Sequence, residues 1–85
     1  MSRKRSKLEI CLDVLRVIRA GYSKPTNIMY KSNLSWITLQ EILNFLISRG
    51  LVAAIENDGR KLYVITAKGK SVLNSLEEAY SILSV

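Results

Sequence analysis

The side chains that could do chemistry in this chain are suited to recognising a polyanion. Gln40 and Asn44 stand four residues apart. Each carries an amide that donates and accepts at once, the pattern that matches the N6 and N7 edge of adenine. Upstream lie Lys31, Ser32, Asn33 and Ser35, a group of donors suited to phosphate oxygens, with Trp36 next to them. Arg60 and Lys61 follow an Asp58-Gly59 pair, and Arg3, Lys4 and Arg5 open the chain. Reaction chemistry is poorly supplied. There is no histidine and one cysteine, no pair of carboxylates at useful spacing and no phosphate-cradling glycine loop, so an enzyme is not expected. No cofactor, metal site or small-molecule ligand is implied.

Charge supports the same chemistry. The formal net charge is +6. Residues 1 to 50 hold nine Lys/Arg against Glu9, Asp13 and Glu41, whereas residues 51 to 85 hold equal numbers of each sign. One face for a polyanion and one for protein is the simplest inference. With only Cys11 no internal disulfide can form, which suits a reducing compartment. No apolar run reaches the roughly 18 residues of a membrane span. A cytoplasmic, nucleoid-associated protein without a membrane partner is expected.

Positioning these residues requires a particular order of elements. Ser6-Lys7-Leu8-Glu9 has the form of a capping box, and Gly21 suits a helix stop, so a first helix is expected over Lys7 to Ala20. Within it Leu8, Cys11, Leu12, Leu15 and Ile18 form one stripe and Ile10, Val14 and Val17 a second, so the helix should be covered on two sides. Cys11 reads as a small core residue. Pro25 suits the first turn of a short helix to Lys31, and Ser35 caps a third helix that stops at Gly50. Leu39, Ile42, Leu43 and Leu46 form the inner side of that helix. Ile37, Gln40, Glu41, Asn44 and Ser48 form the outer side. Trp36 reads first as a partial core anchor, a role compatible with a nucleic-acid contact.

Two apolar runs, Leu51 to Ile55 and Leu62 to Ile65, flank a turn at Glu56 to Lys61, and Asp-Gly between such runs is a strong hairpin signal. Thr66 is placed to cap a last helix running to about Leu83. Val72, Leu76, Ala79 and Leu83 recur along it at spacings of four, three and four, with Leu73 and Tyr80 beside them. That stripe is wider than one small core needs, and left uncovered it would be a large apolar patch. A homodimer is therefore expected, built on Val72, Leu73, Leu76, Ala79, Tyr80 and Leu83, supported by Ile10, Val14 and Val17.

Helix-turn-helix followed by a basic hairpin is a winged-helix order, and the residues also resemble a known group. The segments SRKRSK, DVLRVIRAGYSKPTNIMYKSNLSW, FLISRGLV and YVITAKG are similar to the archaeal winged-helix DNA-binding family that includes the small basic chromatin-type "ten-a" proteins and related transcription regulators. The resemblance implies that the third helix and the wing approach duplex DNA, through Lys31, Ser32, Asn33, Ser35, Trp36, Gln40, Asn44, Arg60 and Lys61. It also implies a dimer made by an antiparallel pair of last helices. The expected architecture is α+β, mainly α, with a basic arm at 1–6, a winged-helix domain at 7–66 and a dimerisation helix at 67–85. A dimeric duplex-DNA binder, chromatin-associated or regulatory, leads. A protein-interaction winged helix and an RNA-binding module stand as the alternatives.

Overall fold

Ser6 turns the chain into its first helix. Its hydroxyl accepts from the Glu9 N–H at 3.1 Å while the Glu9 carboxylate accepts from the Ser6 N–H at 3.1 Å, so two N–H groups that the helix leaves unpaired are satisfied at once. The computed structural model describes residues 5–83, and in it α1 runs over Lys7–Arg19. Helix α2 spans Pro25–Ser32 with proline in its first turn, and it ends at Asn33, whose φ of 55° is a left-handed value that asparagine tolerates. Helix α3 spans Trp36–Ser48, capped by the Ser35 hydroxyl, which accepts from the Thr38 N–H at 3.2 Å.

A two-stranded antiparallel ribbon follows, β1 over Val52–Asn57 and β2 over Arg60–Ile65. The ladder pairs from Val52 with Ile65 as far as Asn57 with Arg60. Only Asp58 and Gly59 form the turn, with φ of 52° and 73°. Positive φ at both central residues matches the right-handed twist of the strands. The turn is thus two residues long where six were expected, because Asp-Gly closes the ribbon tightly enough for Glu56 and Lys61 to pair across it. Helix α4 spans Ala67–Leu83.

One core draws on every element. Cys11, Leu12, Val14, Leu15 and Ile18 of α1 pack with Ile28, Leu39, Ile42, Leu43, Leu46, Val52, Tyr63 and Leu73. Helix α1 therefore lies at the centre, in contact with α2, α3, α4 and β2, which explains its two apolar stripes. The ribbon is tied down from outside as well as inside: the Tyr63 N–H donates to the Ser23 carbonyl at 2.9 Å. The start of α4 is fastened to the α3–β1 connection. There the Thr66 hydroxyl donates to the Gly50 carbonyl at 2.6 Å and accepts from the Gly69 N–H at 2.9 Å. No helix is long and apolar enough to cross a membrane among the described residues.

Candidate nucleic-acid interface

Helix α3 turns its apolar side chains inward, and what remains outside is a short polar and apolar face. Leu39, Leu43 and Leu46 are fully buried. The outward column at spacings of four, three and four is Ile37, Glu41, Asn44 and Ser48, all exposed, with half-buried Gln40 beside it. Ser48 turns its hydroxyl back to the Phe45 carbonyl at 2.6 Å. Trp36 is 47% exposed and is not among the side chains packed on the core, so the expected core anchor is instead an open ring at the start of the helix. Gln40 and Asn44 are thus presented on one side of a helix rigidly seated on the core, as base reading requires.

Cations sort into two groups by what they touch. Some are neutralised: Arg16 and Arg19 both bind Glu77 of α4, at 2.8 and 2.7 Å, and Arg5 binds Asp13 at 2.9 Å beside the end of α2. Hydrogen bonds from Arg19 and Arg16 hold the Glu77 carboxyl at about 2, far below the usual carboxylate range. That pairing fastens α4 to α1 at neutral pH. Lys7, Arg49, Lys68 and Lys70 form no ion pair among the described residues, and neither do the cations of α2 and the wing, Lys24, Lys31, Arg60 and Lys61. Lys31 has only the ring of Tyr22 beneath it, 5.1 Å away. Lys24, Arg60 and Lys61 line one cleft together with Pro25 and Thr26 at the start of α2. Asp58 borders the adjoining hollow without pairing to either Lys24 or Arg60.

Several expected contacts move once the chain is folded. Ser32 is buried, and its hydroxyl donates to the Ile28 carbonyl one turn back, so its side chain is not available to phosphate. Arg5 caps the end of α2, donating to the carbonyls of Ser32 and Asn33 at 2.8 and 3.0 Å besides its bond to Asp13. It is a structural residue in this position. Ser35 is engaged as a helix cap, and it also donates to the Thr38 hydroxyl at 2.9 Å. Asn33 is exposed, with the backbone role already described. Arg60 and Lys61 lie at the start of β2, and although successive strand residues alternate between faces, both border the cleft shared with Lys24. Arg3 and Lys4 lie outside the described residues. Lys24 was not singled out in the sequence. Its signal was available as a cation directly before a helix-starting proline, but its nearness to Arg60 depends on the fold.

The residues expected at a dimer surface also divide. Val14 and Leu73 are fully buried within the protomer, at 0% exposure, and are thereby removed from any interface. Each completes the core that α1 and α4 share. Val17 borders a hollow beside Lys31, Ser32 and Asn33, on the α2 side of α1, and Ile10 is half-buried against the core. Val72, Leu76 and Tyr80 are half-buried, and Ala79 and Leu83 are exposed. Ile82 is exposed as well, and so is Leu8, which the first apolar stripe of α1 had placed with the covered side chains. A groove of about 670 Å³ opens between α1, the end of α3 and α4, lined by Leu8, Phe45, Leu51, Val72 and Leu76. Lys7 and Arg49 flank it, stacked 3.9 and 5.1 Å from the Phe45 ring centre. Cys11 reaches the same groove, and burial pushes its thiol up, so it remains an uncharged packing group.

Known proteins carry the same arrangement. An uncharacterized protein of Methanocaldococcus jannaschii is 32% identical over 81 residues, 95% of this chain and 79% of its own length. The crystal structure of Sso10a-2, a DNA-binding protein from Sulfolobus solfataricus, superposes with a TM-score of 0.82 at 29% identity, over 92% of this chain and 81% of that one. A transcriptional regulator of the MarR family from Silicibacter pomeroyi shares the fold, with a TM-score of 0.76 at 21% identity, and this chain spans 50% of its length. The family model described as winged helix-turn-helix matches residues 4–84. With four helices, a two-stranded wing and that match over nearly its whole length, the chain belongs to the winged helix-turn-helix family.

Proposed function

We propose that this protein binds duplex DNA as a homodimer, mainly through phosphate contacts, as a chromatin-associated protein or transcriptional regulator in the cytoplasm. The observation that carries this reading is the group of unpaired cations on the helix-turn-helix and wing. Arg16 and Arg19 are held by Glu77 between α1 and α4, whereas Lys24, Lys31, Arg60 and Lys61 have no carboxylate partner among the described residues. Unpaired cations beside a helix whose outer face carries Gln40 and Asn44 suit a phosphate backbone flanking a major groove. The similarity to a DNA-binding protein and to transcriptional regulators supports the same reading. Arg60→Ala combined with Lys61→Ala is expected to weaken binding to all duplexes alike without changing the thermal midpoint, since both side chains are exposed. Fluorescence anisotropy with several duplexes checks this. Unchanged affinity would assign the wing a purely structural role.

The dimer reading rests on α4 and the groove beside it. Leu8, Ile82 and Leu83 are exposed at 47%, 71% and 81%, next to half-buried Val72, Leu76 and Tyr80. Charge along α4 is divided, with Lys68 and Lys70 in its first turns and Glu77 and Glu78 in its second half. Lysines near a helix N-terminus oppose the macrodipole. An antiparallel second copy would place its Glu78 near Lys68 and its Ile82 and Leu83 over the groove. Leu76→Glu with Leu83→Glu is expected to give a folded monomer that binds DNA less tightly, because two linked half-sites raise avidity. Sedimentation of the unaltered protein as a monomer at tens of micromolar would overturn the dimer.

A further inference from the structure

We infer that Ile37, with Trp36 beside it, reads thymine methyl groups in the major groove, which makes A·T-containing sites the preferred duplexes. The inference rests on the DNA-binding reading and adds what that reading leaves open, the base preference.

Large apolar side chains left in solvent are concentrated in two parts of this molecule. Leu8 lines the groove beside α4 and Ile82 and Leu83 lie at the end of that helix, whereas Tyr22, Tyr30, Trp36 and Ile37 belong to the helix-turn-helix, with Ile55 alone on the wing. Ile37 is the extreme case on α3, 71% exposed in the first turn of the helix. A single exposed isoleucine needs no explanation. Here it heads the outward column that continues through Glu41 and Asn44, on the element that winged-helix geometry would place in the groove.

What this face lacks is as informative as what it has. No Arg or Lys occurs from Trp36 to Ser48, so the commonest contact to a G·C pair, a cation on guanine O6 and N7, cannot be made from α3. The groups present address the other pair. Gln40 and Asn44 match adenine N6 and N7, and an exposed aliphatic side chain matches the C5-methyl of thymine. Ile37 and Asn44 are seven residues apart, about 10.5 Å along a helix axis, which is roughly three base-pair steps. Glu41 accepts only, so it discriminates against every acceptor edge that faces it and tolerates the amino groups of cytosine or adenine. The cations that bring DNA close lie around this face and not on it: Lys31 before it, Lys24, Arg60 and Lys61 by the wing. Affinity and base preference are therefore carried by different residues.

The test uses the full chain and a set of competitor duplexes of one length. The first is A·T-rich, the second is identical with uracil replacing every thymine, and the third is a G·C duplex with or without 5-methylcytosine. Uracil removes only the methyl group and leaves pairing and charge as they were. Uracil substitution is expected to weaken binding about tenfold if two methyls are covered per site, and 5-methylcytosine is expected to strengthen binding to the G·C duplex. In Ile37→Ala both differences should disappear while low-salt affinity for the uracil duplex stays the same. The residue is exposed, so the fold should persist, as circular dichroism would record. Equal affinity for thymine and uracil duplexes, or a thymine preference that survives in Ile37→Ala, would overturn the inference and leave DNA binding standing. Absence of binding to every duplex at low salt would overturn both.

Discussion

Raising the salt concentration from about 50 to about 200 mM is expected to weaken duplex binding by roughly two orders of magnitude per protomer. The figure follows from those cations on the helix-turn-helix and wing that lack carboxylate partners among the described residues, Lys24, Lys31, Arg60 and Lys61. Each phosphate neutralised releases condensed counterions, so the slope of log K against log salt should be about −3.6 for four contacts. A dimer engaging two sites doubles it, and the loss becomes about four orders of magnitude. The slope also tells which cations take part. Lys24→Ala should make it shallower by about 0.9, whereas Arg16→Ala should leave it unchanged, because the Arg16 guanidinium is already bound to Glu77. Anisotropy titrations at five or so salt concentrations provide the measurement. A flat profile would exclude phosphate contacts as the source of affinity.

That separation between engaged and free cations is a tertiary property, and it marks where the sequence stops being legible. Signals confined to a few neighbouring residues survive folding intact. The Ser6–Glu9 capping box, Pro25 in a first turn and the Ser35 cap stand as expected, and Asp58-Gly59 does turn the hairpin, though in two residues and not six, because each signal is satisfied by backbone within three or four residues. The inner side of α3 is likewise recoverable from periodicity alone. Arg5, by contrast, reads as one more base in a charged arm until the chain brings the end of α2 to it, 27 residues away. Arg19 finds Glu77 across 58 residues. A helical wheel shows that α1 has two apolar sides, yet it cannot say that the protomer's own core covers Val14, or that Leu73 serves that core rather than a second copy. For the same reason the clustering of Lys24 with Arg60 and Lys61 had to be seen in three dimensions.

Replacing Gly69 with alanine is expected to destabilise the fold by about 3 kcal/mol, at the upper end of what one inserted methyl does in a packed site. Local propensity argues the other way. Glycine inside a helix is about 1 kcal/mol worse than alanine, and Gly69 lies in the first turn of α4, where an alanine would ordinarily help. The surroundings reverse the sign. A methyl group there would overlap the Leu51 carbonyl oxygen and come within 2.8 Å of Ile65 Cγ1. Neither neighbour can easily move. The Leu51 carbonyl accepts from the Thr66 N–H at 3.1 Å, and the Thr66 hydroxyl binds both Gly50 and Gly69. The start of α4 would have to lift away from the α3–β1 connection, loosening Leu73 in the core and tilting the surface proposed for the dimer. At about 4 to 8 °C per kcal/mol for a domain of this size, the midpoint of thermal unfolding should fall by roughly 12 to 24 °C. Circular dichroism melts of the two proteins give the comparison. A midpoint that rises by a few degrees would mean that helix propensity decides at this position and that α4 does not sit as close to Leu51 as described.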